Sequence, residues 1–146
     1  MFRLLGVGLT AYLLFGYLLI PLHIQGSSME PTYQDGSFGF CWRLQYVMSS
    51  PKRADVVAVR FSGTRVMLLK RIIAVEGETI EFRRGLLYIN GRHALEPYVR
   101  HQSEWDLTPR TVAPGHVYVI GDNRGISMDR HQFGEVSMLR IVGGIL

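Results

Sequence analysis

From Leu4 to Leu22 the chain reads LLGVGLTAYLLFGYLLIPL, 19 residues without an Asp, Glu, Lys or Arg. As a helix rising ~1.5 Å per residue, this run spans roughly the ~30 Å hydrocarbon core of a bilayer. It is therefore expected to be a transmembrane anchor occupying residues 1–23. A cleavable secretory leader is the rival reading, but its apolar stretch is usually only ~7–15 residues and ends in small residues suited to cleavage. Here the exit is bulky: Pro21, Leu22, His23, Ile24, Gln25. A buried helix of a soluble protein is a third reading.

Beyond residue 23 the pattern changes. Short runs rich in Val, Ile, Phe, Leu and Tyr cover residues 37–42, 55–61, 66–75, 79–82, 86–89 and 116–120, the signature of β-strands. Turn residues separate them: Ser62-Gly63-Thr64, Glu76-Gly77-Glu78, Arg84-Gly85 and Asn90-Gly91. In residues 55–61 polar ends bracket an apolar centre, as in a strand buried on both faces. No segment after the anchor has a sustained helical period. Between Arg92 and Pro114 the pattern lapses into a polar stretch with three prolines, expected to be a long excursion or flap. The predicted fold is mainly β: an N-terminal transmembrane helix followed by one compact antiparallel β-domain over residues 24–146.

Composition adds limits. A chain of 146 residues has room for one ordinary domain, and 47% hydrophobic with 19% charged residues excludes a disordered tail. The single cysteine, Cys41, cannot form an intramolecular disulfide, so the domain is stable without covalent staples. The net charge of +4 comes from scattered residues with no nucleic-acid motif, and a basic surface beside anionic lipid accounts for it. Arg3 and the α-amino group precede the apolar run, whereas Glu30 and Asp35 are the first charges after it. Positive-inside bias then puts the N-terminus in the cytoplasm and the β-domain on the outer side of a single-pass inner-membrane protein.

The candidate chemistry starts from absences. The five histidines show no metal-ligand spacing, and no CxxC, HExxH, phosphate-binding glycine loop or GxSxG elbow occurs. No metal, cofactor or nucleic acid is expected. Residues 26–32 read GSSMEPT, and a serine hydroxyl is a poor nucleophile until a base removes its proton. A lysine serves as that base when burial among apolar atoms keeps its amine neutral. There are two lysines. Lys52 lies in the polar turn PKRAD, whereas Lys70 lies in VMLLKRIIAV, an expensive place for a charge. Alone, Lys70 also reads as a strand-edge lysine whose ammonium reaches water. A third segment, GDNRGISMDRHQFGEV over residues 121–136, carries hydroxyl, carboxylate and amide groups able to hold a buried amine. Alone, it also reads as a connection between strands.

Taken together and in order, these segments resemble the motifs of type I signal peptidases, membrane-anchored Ser/Lys proteases. SSMEPT is similar to the S-M-x-P-T box, PKRADVVAVRF to the following strand motif, KRIIAVEGETI to the box that opens with the base, and GDNRGISMDRHQFG to the last box. The resemblance implies an antiparallel β-domain of the signal-peptidase type that cleaves N-terminal signal peptides from exported pre-proteins through an acyl-enzyme. It implies Ser28 as nucleophile, its N–H as oxyanion donor, Lys70 as general base, Ser127 as the hydroxyl orienting the lysine amine, and an Asp122–Arg71 pair. Three positions depart from the pattern. Gly26 stands where some relatives have a serine, and Ala54 replaces the common glycine of the strand motif, with little expected consequence. His131 replaces an arginine, so an Asp129–His131 contact is expected, weakening as pH rises past the histidine pKa.

Ile24, Tyr33 and Leu69 flank the motifs and are expected to shape shallow apolar pockets for small side chains one and three positions before the scissile bond, on a peptide that adds as a strand to a sheet edge. The expected partners are signal peptides and the lipid bilayer. Two alternatives stay open: a specialised peptidase that matures pilin-like or conjugative-transfer proteins, and a membrane-tethered β-domain that binds exported peptides without cutting them. A self-cleaving repressor with the same dyad would need a DNA-binding head, which an apolar, uncharged N-terminus does not supply.

Overall fold

A computed structural model describes residues 2–60, 67–132 and 134–146, with side chains from residue 3 onward. The apolar N-terminus begins as helix α1 (Phe2–Leu13) and continues as a π-helical stretch, Leu14–Leu18. Leu4, Leu5, Val7, Leu9 and Tyr12 of α1 are all more than half exposed. The helix does not reach Leu22 as the hydropathy pattern predicted: residues Leu19–His23 form strand β1. Pro21 explains the change, because it removes a helical N–H, and its ring disfavours the α conformation at the preceding residue. A proline is tolerated in β1 because this strand is an edge of its sheet. Among the described residues no helix is long and apolar enough to cross a membrane.

The remaining strands are β2 (Phe38–Trp42), β3 (Val56–Arg60), β4 (Met67–Val75), β5 (Thr79–Arg83), β6 (Leu86–Ile89), β7 (Arg92–His93), β8 (Leu107–Thr111), β9 (His116–Ile120), β10 (Gly134–Ser137) and β11 (Ile141–Ile145). They pair antiparallel into a seven-stranded sheet in the order β1-β2-β11-β3-β4-β9-β10 and a four-stranded sheet in the order β7-β6-β5-β8. Six strands fall where the β-rich runs predicted them. Phe61, Val66 and the 62–64 turn lie outside the described residues.

Strand β4 organises the core. Ile72 joins Val57, Val59, Val117 and Val119 in one cluster, while Ile73 and Ala74 join Ile80, Phe82, Leu87, Trp105 and Ile120 in another. Two successive residues share the second cluster because a bulge between Ile72 and Ala74 inserts one extra residue opposite β9. The β5–β6 hairpin turns at Arg84-Gly85, both at positive φ, as a two-residue turn matched to the strand twist requires.

The Arg92–Pro114 segment is pinned more firmly than a free flap. It carries β7 and β8, buries Trp105, and holds Glu96 against Arg124 at 2.6 Å with both side chains buried. Its edge strand β8 reads LTPRT and is largely exposed, so apolar alternation could not reveal it.

Candidate active site

Ser28 sits in a tight 3₁₀ turn, Ser27–Met29, between β1 and β2. Gly26 enters the turn at φ +90°, a conformation glycine adopts at little cost, and its N–H donates to Asp35 Oδ1 at 2.7 Å. Met29, 1% exposed, anchors the turn in the interior. Lys70 arrives from β4, paired across to Val57 of β3. On its other side, pairing with β9 begins only at Arg71 opposite Ile120. Among the described residues Met67 to Lys70 therefore have an unpaired flank, and the Lys70 amine meets the serine: Nζ donates to Ser28 Oγ at 3.0 Å. Lys70 is 3% exposed. Burial pulls its pKa down to about 8, against the opposing pull of the Asp122 carboxylate.

The segment after β9 clamps this arrangement. Asn123 N–H donates to the Ser28 carbonyl at 3.1 Å, and Asn123 Nδ2 donates to the Ser27 carbonyl at 3.1 Å. Gly121 lies so close that a Cβ there would stand 2.2 Å from the Ser28 carbonyl oxygen. Gly121→Ala is therefore expected to displace the serine turn. It should cost about 1–3 kcal/mol of stability and about 10²-fold in turnover, read by thermal melting and by peptide cleavage. An unchanged rate would show that the turn tolerates the shift.

Asp122, fully buried, accepts from Arg71 Nε at 2.8 Å and Nη2 at 2.6 Å, and from Thr32 Oγ1 at 2.5 Å. Arg71 Nη1 donates to the Ala54 carbonyl at 2.7 Å, and the Tyr98 ring centroid lies 3.9 Å from its Cζ. The expected Asp122–Arg71 pair is thus formed, tying the last motif to the lysine strand. Ala54 is less innocuous than expected. Its φ of 73° is left-handed, a region that disfavours any residue with a Cβ.

Two expected contacts are not formed. Ser127 is exposed, and its hydroxyl bonds to the carboxylate of Asp129, holding that group below its usual pKa range. No Ser127–Lys70 hydrogen bond occurs among the described residues. A local partner two residues away outcompetes a distant one here. Nor do Asp129 and His131 meet. Asp129 is exposed in the turn Met128–Arg130, whereas His131 is buried with Nε2 2.5 Å from the Asn123 carbonyl. Residues two apart on a three-residue turn point in different directions.

Of the three expected pocket residues, Ile24 and Leu69 line a cleft beside Ser28 together with Leu22, Ala58 and Met67. Tyr33 lies apart from this cleft, half-buried beside Arg71 and Asp122, with its phenol pKa raised by burial. The sequence reading did not single out Thr32, Asn123 or Tyr98 as contributors. The first two lie inside the quoted EPT and GDNR motifs and were legible there, whereas nothing in the pattern around Tyr98 points to Arg71.

An amine of lowered pKa in hydrogen-bond contact with a serine hydroxyl, beside a cleft that Ile24, Ala58 and Leu69 help to line, is suited to nucleophilic cleavage of an extended peptide. Residues 1–146 match the family described as signal peptidase, peptidase S26. Signal peptidase I T of Bacillus subtilis (strain 168) is 34% identical over 92% of this chain and 76% of its own, and signal peptidase I of Bacillus licheniformis is 33% identical over 91% and 77%. A crystal structure of a signal peptidase I from Enterococcus faecalis V583 superposes with a TM-score of 0.54 at 29% identity, covering 67% of this chain and 98% of that one. On these grounds the chain belongs to the signal peptidase family, peptidase S26, and is a serine endopeptidase.

Proposed function

We propose that this enzyme removes signal peptides from exported pre-proteins with Ser28 as nucleophile and Lys70 as general base. The observation that carries this reading is the 3.0 Å contact between Lys70 Nζ and Ser28 Oγ, made by an amine that burial brings to a pKa of about 8. The neutral amine takes the serine proton as Oγ attacks the scissile carbonyl. The resulting oxyanion is met by the Ser28 N–H, and Lys70 returns the proton to the leaving amine. Water, activated by the same lysine, then hydrolyses the acyl-enzyme. Arg71 and Asp122 hold β4 and the 121–123 segment in register, and Asn123 steadies the serine turn.

The substrate adds as a strand along the unpaired flank of Met67–Leu69. Its side chains one and three positions before the scissile bond enter the cleft of Ile24, Ala58 and Leu69, which favours small residues. The N-terminal segment, residues 1–23, anchors the enzyme in the inner membrane with the N-terminus in the cytoplasm and the catalytic domain on the outer side. Phe38 and Phe40, exposed along β2, extend the apolar surface. An anchored enzyme meets membrane-delivered leaders at high effective concentration.

Full-length protein in detergent, incubated with a secretory precursor, tests this reading. Ser28→Ala is expected to abolish processing, and the neighbouring Ser27→Ala to retain it. The log of kcat/KM is expected to rise with pH at a slope of about one and level off near the Lys70 pKa of about 8. Processing that survives Ser28→Ala would overturn the assignment. A wild type that leaves secretory precursors intact would point to a dedicated substrate.

A further inference from the structure

His131 is 8% exposed, and its Nδ1 is a buried side-chain nitrogen without a hydrogen-bond partner among the described residues. Its other nitrogen, Nε2, lies 2.5 Å from the Asn123 carbonyl. A carbonyl only accepts, so Nε2 carries the proton, and in the neutral ring Nδ1 is a bare lone pair. The ring packs edge-on against Trp105 with centroids 4.9 Å apart. On the other side it presses on Gly121, where an added Cβ would lie 3.0 Å from His131 Cε1 and 2.2 Å from the Ser28 carbonyl oxygen. The backbone at residues 121–123 is thus held between the imidazole and the serine turn, and Asn123 joins the two sides. Its carbonyl accepts from His131, while its N–H and amide donate to the carbonyls of Ser28 and Ser27.

We propose that His131 is a positioning residue for the nucleophile: in its neutral, Nε2–H form it fixes the 121–123 backbone against the Ser27 and Ser28 carbonyls and so keeps Ser28 Oγ in reach of Lys70. This rests on the assignment of Ser28 and Lys70 above. Protonation would place an N–H on Nδ1 with no acceptor among the described residues. The charges that bear on the ring oppose it further: Lys70 from β4 and Arg124 from the loop after β9. Asp122 is committed to Arg71 and Thr32, Glu96 to Arg124, and Asp129 and Arg130 of the preceding turn are exposed. Burial, with these two cations, outweighs the Asn123 carbonyl and lowers the histidine pKa. The sign follows: the ordered loop is fully present above the ordinary histidine value of about 6.5 and is lost as pH falls through the lower folded-state value. This reverses the pH dependence expected of an Asp129–His131 pair.

The test uses full-length protein in detergent and a synthetic peptide with alanine one and three positions before the scissile bond. His131→Gln keeps an N–H donor near the Nε2 position but does not titrate, whereas His131→Ala removes the donor. The alanine variant is expected to lose about tenfold or more in kcat with KM within about twofold, and glutamine to restore kcat to within about threefold. In wild type the acid limb should steepen from a slope of about one to about two below the histidine pKa, and in His131→Gln it should stay near one. As a readout independent of variants, nitrogen NMR of the wild-type ring should show Nδ1 unprotonated at pH 7. The Ser28 and Asn123 amide signals should shift together with the ring on acidification. Wild-type kcat in His131→Ala, no advantage of glutamine over alanine, or Ser28 and Asn123 signals that ignore the ring's titration would overturn the proposal. Activity surviving Ser28→Ala would instead sink the catalytic assignment on which it rests.

Discussion

Lys70→Met is expected to abolish signal-peptide cleavage and at the same time to make the protein more stable at neutral pH. On the proposed mechanism the activity loss follows from removing the base: serine nucleophiles deprived of their proton acceptor lose about 10⁴-fold or more in turnover. The stability gain follows from the location. Lys70 is 3% exposed, and burial lowers its pKa from 10.5 to about 8. Between those values the unfolded chain binds more protons than the folded one, so wild-type stability rises with pH across that window. Below about pH 8 both states are protonated and the full cost of the buried charge applies, on the order of 3 kcal/mol. Methionine fills similar space without a charge. Its thermal advantage should therefore be largest below pH 8 and shrink towards pH 10.5, which parallel melting curves would reveal. A variant that cleaves at the wild-type rate would remove Lys70 from the mechanism. A wild-type stability that is flat from pH 8 to 10.5 would mean the amine is solvated.

Asp122→Ala should unfold the protein most readily. The carboxylate is fully buried and accepts two hydrogen bonds from Arg71, whose side chain is 9% exposed. Removing one partner of such a pair leaves a buried charge uncompensated, at a cost of about 3–5 kcal/mol. For a domain of this size that lowers Tm by about 10–20 °C. Adding Arg71→Met to Asp122→Ala should recover part of the loss, because the second change removes the orphaned charge. A single variant that melts like wild type would show that Arg71 finds other partners. The gentler Asp122→Asn has a separate kinetic signature. Asp122 raises the proton affinity of Lys70, so neutralising it should move the alkaline rise in cleavage to lower pH. A limb that stays in place would mean Asp122 acts only as a structural tie.

Hydrophobic pattern alone was sufficient for the central strands. β3 and β4 are largely buried and read as apolar runs, broken in β4 only by Lys70 and Arg71. It failed where burial is one-sided or small. β8 is an exposed edge containing a proline, and β10 and β11 are short and glycine-bearing, with Gly143 placed where a Cβ would stand 2.4 Å from the Trp42 carbonyl oxygen. It also misread residues 19–22, because an apolar run does not distinguish a helix from a strand until its pairing partner, here β2, is known.

The same division holds at the site. Residue types alone singled out Lys70, since a serine–lysine mechanism needs a lysine in an apolar strand; Ser28 and the Asp122–Arg71 pair came from the resemblance of the ordered motifs to those of type I signal peptidases. Which hydroxyl or carbonyl each side chain meets was decided only by the tertiary structure. Ser127 turns to Asp129, His131 to Asn123, and Tyr33 to the Arg71–Asp122 pair rather than to the cleft beside Ser28. Sequence carries the chemical identity and strand periodicity of these residues. The direction of a side chain depends on turn geometry and on partners distant in sequence: 42 positions separate Ser28 from Lys70 and 51 separate Arg71 from Asp122, and the paired strands close those distances.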